Sequence, residues 1–512
     1  MTLILGLVLS GSSCGPESVT PDPDPDISVV DPDEPDPGTD PGDPEPGTDP
    51  EDPVGPIGDG NVGPRANNYD DPANGIYVSP SGNDATADGT IGKPYKSINT
   101  ALQALVDASS TGATIILRGG TYKEGRDVRV RLSNITIKSA KGEWAVIDLT
   151  TYNSGHQEDS GVEFYAENAI TGGSVTDCKL QSIEIVGGFY AVSFDTKWDW
   201  ETPPGPGPSN IIIEDCILHD SRNDVVKLKP NCTDITIRYN EIYNSGRAYA
   251  SRPDFNTGEN NSEGIDNVNS DKMHVHNNYI HDICSTGIYA KGGAADAIIE
   301  NNIIERAFAA GIQVGFDTNL EYMEDGSEGS GFDYYENLRG IVRNNLIIDA
   351  GWEGIGLYSS KDAQVYNNTI VNAVCGVYKY HSPIYFGVSP QDGQTGFGHQ
   401  ANVNPKIHHN IVRQPATFTN EMIEIRYANE NGGMSALSGN PTMNDNCYFI
   451  VGKSASFTDN RPGKEFTGGL TAWKSHISGE SGTIEVDPAL GANFMPANAQ
   501  CASMGISTVL TK

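Results

Sequence analysis

NYIHDICSTGIYAK (residues 278–291) is followed by NIIERAFAAGIQVG (302–315) and NLIIDAGWEGIGLY (345–358). Each segment opens on Asn, runs through a short apolar strand, breaks at a polar turn and resumes as Gly-apolar-x-apolar. Working outward, CILHDSRNDVVKLK (216–229), NEIYNSG with SEGIDNV (240–246, 262–268) and NTIVNAVCGVYKY (368–380) fit the same frame. The anchors of the second strand are Val226, Ile265, Ile288, Ile312, Ile355 and Val377, spaced 39, 23, 24, 43 and 22 residues apart. The basic period is 22–24 residues, lengthened by insertions in two of the repeats. Short β-branched strands at that period cannot each bury a face alone. Stacked as coils of a solenoid, they share one continuous core.

A second column supports the register. Asn240, Asn278, Asn302, Asn345, Asn368 and Asn410 fall at one turn position. Asn tolerates left-handed backbone, and stacked Asn amides can bond from coil to coil. Cys178 and Cys216 are expected to continue this column toward the N-terminus. The fold class expected is all-β: a parallel β-helix over 74–450, with irregular final coils and a C-terminal cap over 451–512. Near its start, Ile98, Ala101, Leu102, Leu105 and Val106 recur at helical spacing behind Ser97, which predicts a short capping helix over an open sheet end.

What precedes the solenoid differs in kind. Residues 1–60 hold 15 Asp or Glu and no Lys or Arg, out of a formal net charge of −35. Proline stiffens this tract and like charges extend it, so 15–70 reads as a disordered acidic linker. The opening MTLILGLVLSGSSCGPES (1–18) reads as a short secretory apolar run with a small-residue exit. It resembles a bacterial lipoprotein signal over 1–14. That resemblance implies lipidation at Cys14, export and a cell-surface position on the outer membrane. Acidic tethers of this kind follow the lipid cysteine in surface lipoproteins of Bacteroidetes-like bacteria. The remaining charge of about −20 argues against nucleic acid as a partner. Seven further cysteines show no metal-ligand spacing and read mostly as buried thiols.

The Asn column, the coil length and the entry YVSPSGND…GTIGKPYKSINTAL (77–84, 89–102) together resemble right-handed parallel β-helix proteins of the pectate-lyase-like superfamily. The resemblance implies the fold over 74–450. It leaves activity open, because the fold hosts lyases, hydrolases, epimerases, adhesins and binders.

Side-chain alternation gives the outward face. If the anchors point in, one outward column reads Ser193, Lys227, Asp266, Tyr289, Gln313, Gly356, Tyr378. A second reads Asp195, Lys229, Val268, Lys291, Gly315, Tyr358, Tyr380. Insertions at 195–209, 247–264 and 316–337 fall beside this face and bring Trp198, Trp200, Phe255, Tyr322, Tyr334 and Tyr335, residues able to stack on sugar rings. With Tyr289, Gln313 and Tyr358 they are the candidate substrate-binding residues of a cleft for an extended polysaccharide.

A uronic acid in such a cleft can be cleaved by β-elimination. A base takes the proton alpha to the carboxylate, and a cation neutralises that carboxylate. Lys291 is the candidate base, Lys229 its partner and Asp266 its orienting acid. Glu263, Asp266 and Asp271 are the candidate oxygen ligands of a calcium ion (Ca2+). The resemblance points the same way, since pectate-lyase-like enzymes pair a basic residue with calcium on this sheet. A surface ion pair between Lys291 and Asp266 is the plainer reading. The leading expectation is a monomeric lyase acting on an acidic polysaccharide. Two alternatives remain: a glycoside hydrolase using Asp266 and Glu263, and a non-catalytic surface glycan binder. His274 and His276 share a column with Glu214, Arg238, Glu300 and Arg343, which predicts an ionic ladder rather than a metal site. His219 and His281, with Tyr243 between them, read as turn stabilisers.

Overall fold

A computed structural model describes residues 60–151, 160–196, 205–246, 262–318, 323, 334–376, 381–389 and 400–512. Three long sheets of 12, 12 and 11 strands run the length of these residues, parallel except for the last strand of the second (Phe466–Gly468), with a fourth sheet of two-residue strands at one corner. Each coil contributes one strand to each long sheet, so the chain is a parallel β-helix. The core is a stack of like side chains. Val226, Ile265, Ile288, Ile312 and Ile355 lie in register on successive strands of the second sheet and are fully buried.

The Asn column forms a ladder. Asn240 N–H donates to Asn278 Oδ1 at 3.0 Å, Asn278 to Asn302 at 2.9 Å, and the chain of bonds continues through Asn345, Asn368 and Asn410 to Asn446. Each Nδ2 also donates to the next Oδ1 at 3.0–3.1 Å. The left-handed backbone belongs to the residue before each Asn, Tyr239 and His409 included. Asn is therefore selected for its amide, which satisfies buried backbone groups, and not for its φ. Cys216 does continue the column, its N–H donating to Asn240 Oδ1 at 2.9 Å. Cys178 does not. It sits inside a strand of the first sheet opposite Ile211, and Ile183 takes the column position.

One anchor is displaced. The strand paired with Ile355–Tyr358 is Ile384–Gly387, with Ile384 opposite Ile355. Val377, Tyr378 and Tyr380 belong to 377–380, outside the described residues. GVYKY copies the repeat's pattern seven residues early, and Tyr385 takes the outward place expected of Tyr378.

The ends are closed differently. Helix α1 (Ile98–Asp107) is capped by Ser97, whose Oγ accepts from Thr100 N–H, and its apolar face covers the first coils. Helix α2 (Leu470–Ile477) buries Trp473 against Phe457, with ring centroids 5.5 Å apart. The closing segment, expected to cover that end, instead runs back along the flank. Gly505 N–H bonds His409 O, Ile506 N–H bonds Thr369 Oγ1, and Lys512 Nζ reaches Glu305. The last part of the expected linker is docked too, since Val62 N–H donates to Thr511 O and Thr511 N–H donates to Gly60 O, and Arg65 pairs with Asp215.

Candidate active site on the second sheet

The expected outward column is continuous: Ser193, Lys227, Asp266, Tyr289, Gln313 and Gly356 are partners on successive strands, and Tyr385 follows. A second column lies beside it, two residues before each anchor: Asp224, Glu263, Thr286, Ala310 and Glu353, polar at all but Ala310. Strict alternation would send those side chains inward. A corner intervenes instead at the residue just before the anchor. Gly264, Gly287 and Gly311 stand there, where an added Cβ would lie 2.5–2.7 Å from the carbonyl oxygen of the next coil. The corner turns both columns onto one face.

Two carboxylates thereby stack above each other and meet a third. Ligand oxygens of Asp224, Glu263 and Asp266 all lie within 4.8 Å of one another, and all three residues are buried. Both Oε atoms of Glu263, Oδ2 of Asp224 and Oδ1 of Asp266 lack a hydrogen-bond partner. Two ammonium groups face them. Lys227 Nζ pairs with Asp266 Oδ2 and lies 3.4 Å from Asp224, while Lys291 Nζ is 3.8 Å from Asp266 Oδ1. Lys291 also sits over the Tyr289 ring, 4.3 Å from its centroid. Gly292, just beyond it, adopts φ +71° and donates to Glu336.

The electrostatics separate the acids. Burial, then the Asp224 carboxylate beside it, pushes Glu263 well above the usual carboxylate range. Burial also raises Asp224, against the opposing pull of Lys227. Asp266 goes the other way: burial disfavours its charge, but Lys227 and Lys291 outweigh burial and hold its pKa low. Lys227 is held well above the ordinary lysine value, since Asp266 and Asp224 overcome its own desolvation. Three converging carboxylates with orphaned oxygens suit a hard divalent cation, which takes oxygen ligands.

Further along the face the column is sealed. Gln313 Nε2 donates to Glu353 Oε1 at 2.6 Å, and Tyr358 OH donates to the same oxygen at 2.8 Å. His381 Nδ1 pairs with Glu353 Oε2. Gly315 (φ +81°) lets the chain fold Phe316 back over Tyr289, with ring centroids 5.4 Å apart, and over Tyr358 at 5.2 Å. Tyr289, Gln313 and Tyr358, expected to touch substrate, are thus buried in an internal network. Periodicity predicts which way they point but not that a later residue covers them.

The other expected site residues fall as follows. Lys229 pairs with Asp195 at 2.8 Å, two coils from Lys291. Asp271 is exposed and accepts from Ala295 N–H at another corner, so Asp224 stands where Asp271 was expected. Tyr334 and Tyr335 are half-buried just before Glu336, whose backbone bonds Gly293. Trp198, Trp200, Phe255, Tyr322 and Cys14 lie outside the described residues. The histidine columns are ladders. Arg238 bonds Glu214, and His274 and Arg343 bond Glu300 at 2.9 and 2.7 Å. Tyr243 stacks between His219 and His281 at 4.6 and 5.0 Å.

A family model described as right handed beta helix region matches residues 143–387 and 263–449. The chain belongs to this right-handed β-helix family. Within it, a 78-residue stretch is 40% identical to pectate lyase PEL9 of Emericella nidulans; the match covers 14% of this chain and 18% of that protein. Among solved structures, pectate lyase Pel9A aligns over 75% of this chain and 77% of its own, at 14% identity and a TM-score of 0.39. The catalytic unit of a GH87 alpha-1,3-glucanase from Streptomyces thermodiastaticus covers 83% and 69%, at 16% identity and 0.46. The A-module of mannuronan C-5 epimerase AlgE6 from Azotobacter vinelandii covers 78% and 98%, at 13% identity and 0.46. No described helix is long and apolar enough to cross a membrane.

Proposed function

We propose that this β-helix protein acts on an acidic polysaccharide as a lyase, with its centre at Asp224, Glu263, Asp266, Lys227 and Lys291. The observation that carries the reading is the convergence of three buried carboxylates, four of whose oxygens have no partner, on two lysine ammonium groups. The stretch 40% identical to a pectate lyase agrees with it.

In the proposed reaction Lys291 takes the proton alpha to the uronate carboxylate. The electron pair left on that carbon forms the double bond, the bond to the glycosidic oxygen breaks, and the departing oxygen takes a proton from water. Asp266 positions Lys291, and Lys227 compensates the charge of Asp266 and Asp224. Asp224, Glu263 and Asp266 would hold a divalent cation, calcium by its preference for oxygen, which supplies charge neutralisation of the substrate carboxylate. Export through the 1–14 segment, lipidation at Cys14 and a tethered, surface-exposed outer-membrane position complete this reading.

One observation favours a second reading. Burial and Asp224 raise Glu263 while Lys227 and Lys291 lower Asp266 within the same cluster, and such separation of two carboxyl groups is the signature of a glycoside hydrolase acid and its partner. The assay that decides offers pectin, alginate and glycosaminoglycans to the full chain with and without calcium. A lyase gives products carrying the ultraviolet absorbance of an unsaturated uronate. A hydrolase gives new reducing ends without it. Binding with neither product overturns both.

A further inference from the structure

The Sγ atoms of Cys447 and Cys501 lie 3.3 Å apart, and both residues are fully buried. Cys447 opens the strand Cys447–Ile450, the last of the third sheet. Cys501 ends a short turn, Ala499–Cys501, in the tail that runs back along the flank. Cys447 Sγ also lies 3.4 Å from Val486 O, while Cys178 and Cys232 have only backbone carbonyls, those of Leu132 and Phe194 among them, within reach of their thiols. We propose that Cys447 and Cys501 are a disulfide site that pins the returning tail to the last coils.

The bond requires the two sulfurs to close to about 2.05 Å, a small movement for side chains already in contact. Ile411 and Met504, with Ile484 and Val486 packed against them, form an apolar shell around the pair, and the Asp487 carboxylate is the charge that acts on both thiols. The step is thiol–disulfide exchange with a small-molecule or protein disulfide as oxidant. One cysteine thiolate attacks a sulfur of that oxidant and expels a thiol. The second thiolate then attacks the mixed disulfide and expels the other. Two protons leave the pair, and its two electrons pass to the oxidant, which ends as two thiols. Burial shields both sulfurs in the finished fold, so the bond forms before the tail docks.

The tail it pins is the buttress of the Asn corner. Beyond Cys501 it bonds His409, Thr369, Asn344 and Glu305 in turn, and Thr511 meets Gly60, where the chain enters the solenoid. The oxidising compartment rests on the export reading above; the test supplies its own.

The full chain is exported to a bacterial periplasm and unfolded directly in an alkylating agent. Trypsin then places Cys447 in peptide 427–453 and Cys501 in 475–512, each with one cysteine. The expected result is a single joined species, lighter than the two peptides by two hydrogens. Both peptides recovered alkylated overturns the proposal. For pinning, reductant should lower the thermal midpoint of the oxidised protein by at least about 2 °C, with no response in Cys501→Ser. A joined pair whose reduction leaves the midpoint unmoved overturns the mechanical role.

Discussion

Replacing Glu263 with Gln should stabilise the protein at alkaline pH. Both Glu263 oxygens are buried without a partner, between the carboxylates of Asp224 and Asp266. A buried acceptor without a hydrogen bond costs about 1–3 kcal/mol, and more when it is charged. The Gln amide removes the charge and can donate to Asp224 Oδ2 and Asp266 Oδ1, which have ammonium groups at 3.4 and 3.8 Å but no hydrogen bond. A gain of about 2 kcal/mol follows in calcium-free buffer near pH 8. Unfolding entropy of about 2.1 cal/mol/K per residue over the Pro56–Lys512 unit converts this to a rise of about 2 °C in scanning calorimetry.

The pH dependence fixes the cause. The folded pKa of Glu263 is raised, so its contribution to stability is fully present below the unfolded value and is lost as pH rises through the folded one. The wild-type protein therefore loses this contribution as pH rises, the variant does not, and the two converge below the unfolded value of about 4.3. Asp266, whose pKa is lowered, acts in the opposite sense but is common to both and cancels. Calcium should reverse the order by raising the wild-type midpoint alone. A variant less stable than wild type near pH 8 without calcium, or a difference independent of pH, would refute the reasoning that Glu263 is an uncompensated buried acid.

Lys291→Ala should lower turnover by about 10²–10⁴-fold, measured on whichever uronate polymer is cleaved. Asn302→Ala removes bonds to Val275 O, Asn345 and the Asn278 N–H, and should cost about 3 kcal/mol, read as faster hydrogen exchange at Asn278. Gly387→Ala places a Cβ 2.0 Å from Tyr358 Cε1, breaking the Tyr358–Glu353 bond at a cost of about 2 kcal/mol or more in denaturant titration. His276, lowered to about 4 by burial and by His274 beside it, should show no imidazole titration between about pH 5 and 8 by NMR.

The fold was legible because it is one-dimensional. A period of 22–24 residues names which side chains stack, and five anchors and six ladder asparagines obey it. Where a coil carries an insertion, the period offers more than one register, and GVYKY offered the false one. The Lys291–Asp266 meeting was legible for the same reason, since both lie on strands where alternation holds. Asp224 was not. It stands across a corner from its strand, and the only trace of that corner is small residues before Ile265, Ile288, Ile312 and Ile355. A glycine column at coil spacing is the signal that would have found it. The covering of Gln313 and Tyr358 by Phe316 depends on the backbone of Gly315, which no period encodes.

That broken alternation also bears on chemistry. A regular strand separates like-facing residues by two positions, so one coil offers one outward acid at a given height. The corner lets a coil present two, and in the Glu263–Asp266 coil both are acidic. Asp224 on the coil before supplies the third. Three carboxylates with two lysines leave one negative charge more than the ammonium groups balance. A buried site relieves such an excess in one of two ways. A proton on Glu263 produces an acid beside an ionised Asp266, the arrangement of a hydrolase. A divalent cation displaces that proton and produces the arrangement of a lyase. The two proposed activities are thus two occupants of one charge vacancy, and calcium binding should release protons from the protein, increasingly so as pH falls toward the range where Glu263 is fully protonated. Calorimetric titration of calcium in buffers of different ionisation enthalpy measures that release, and binding without proton release would show that Glu263 is not the group the cation displaces.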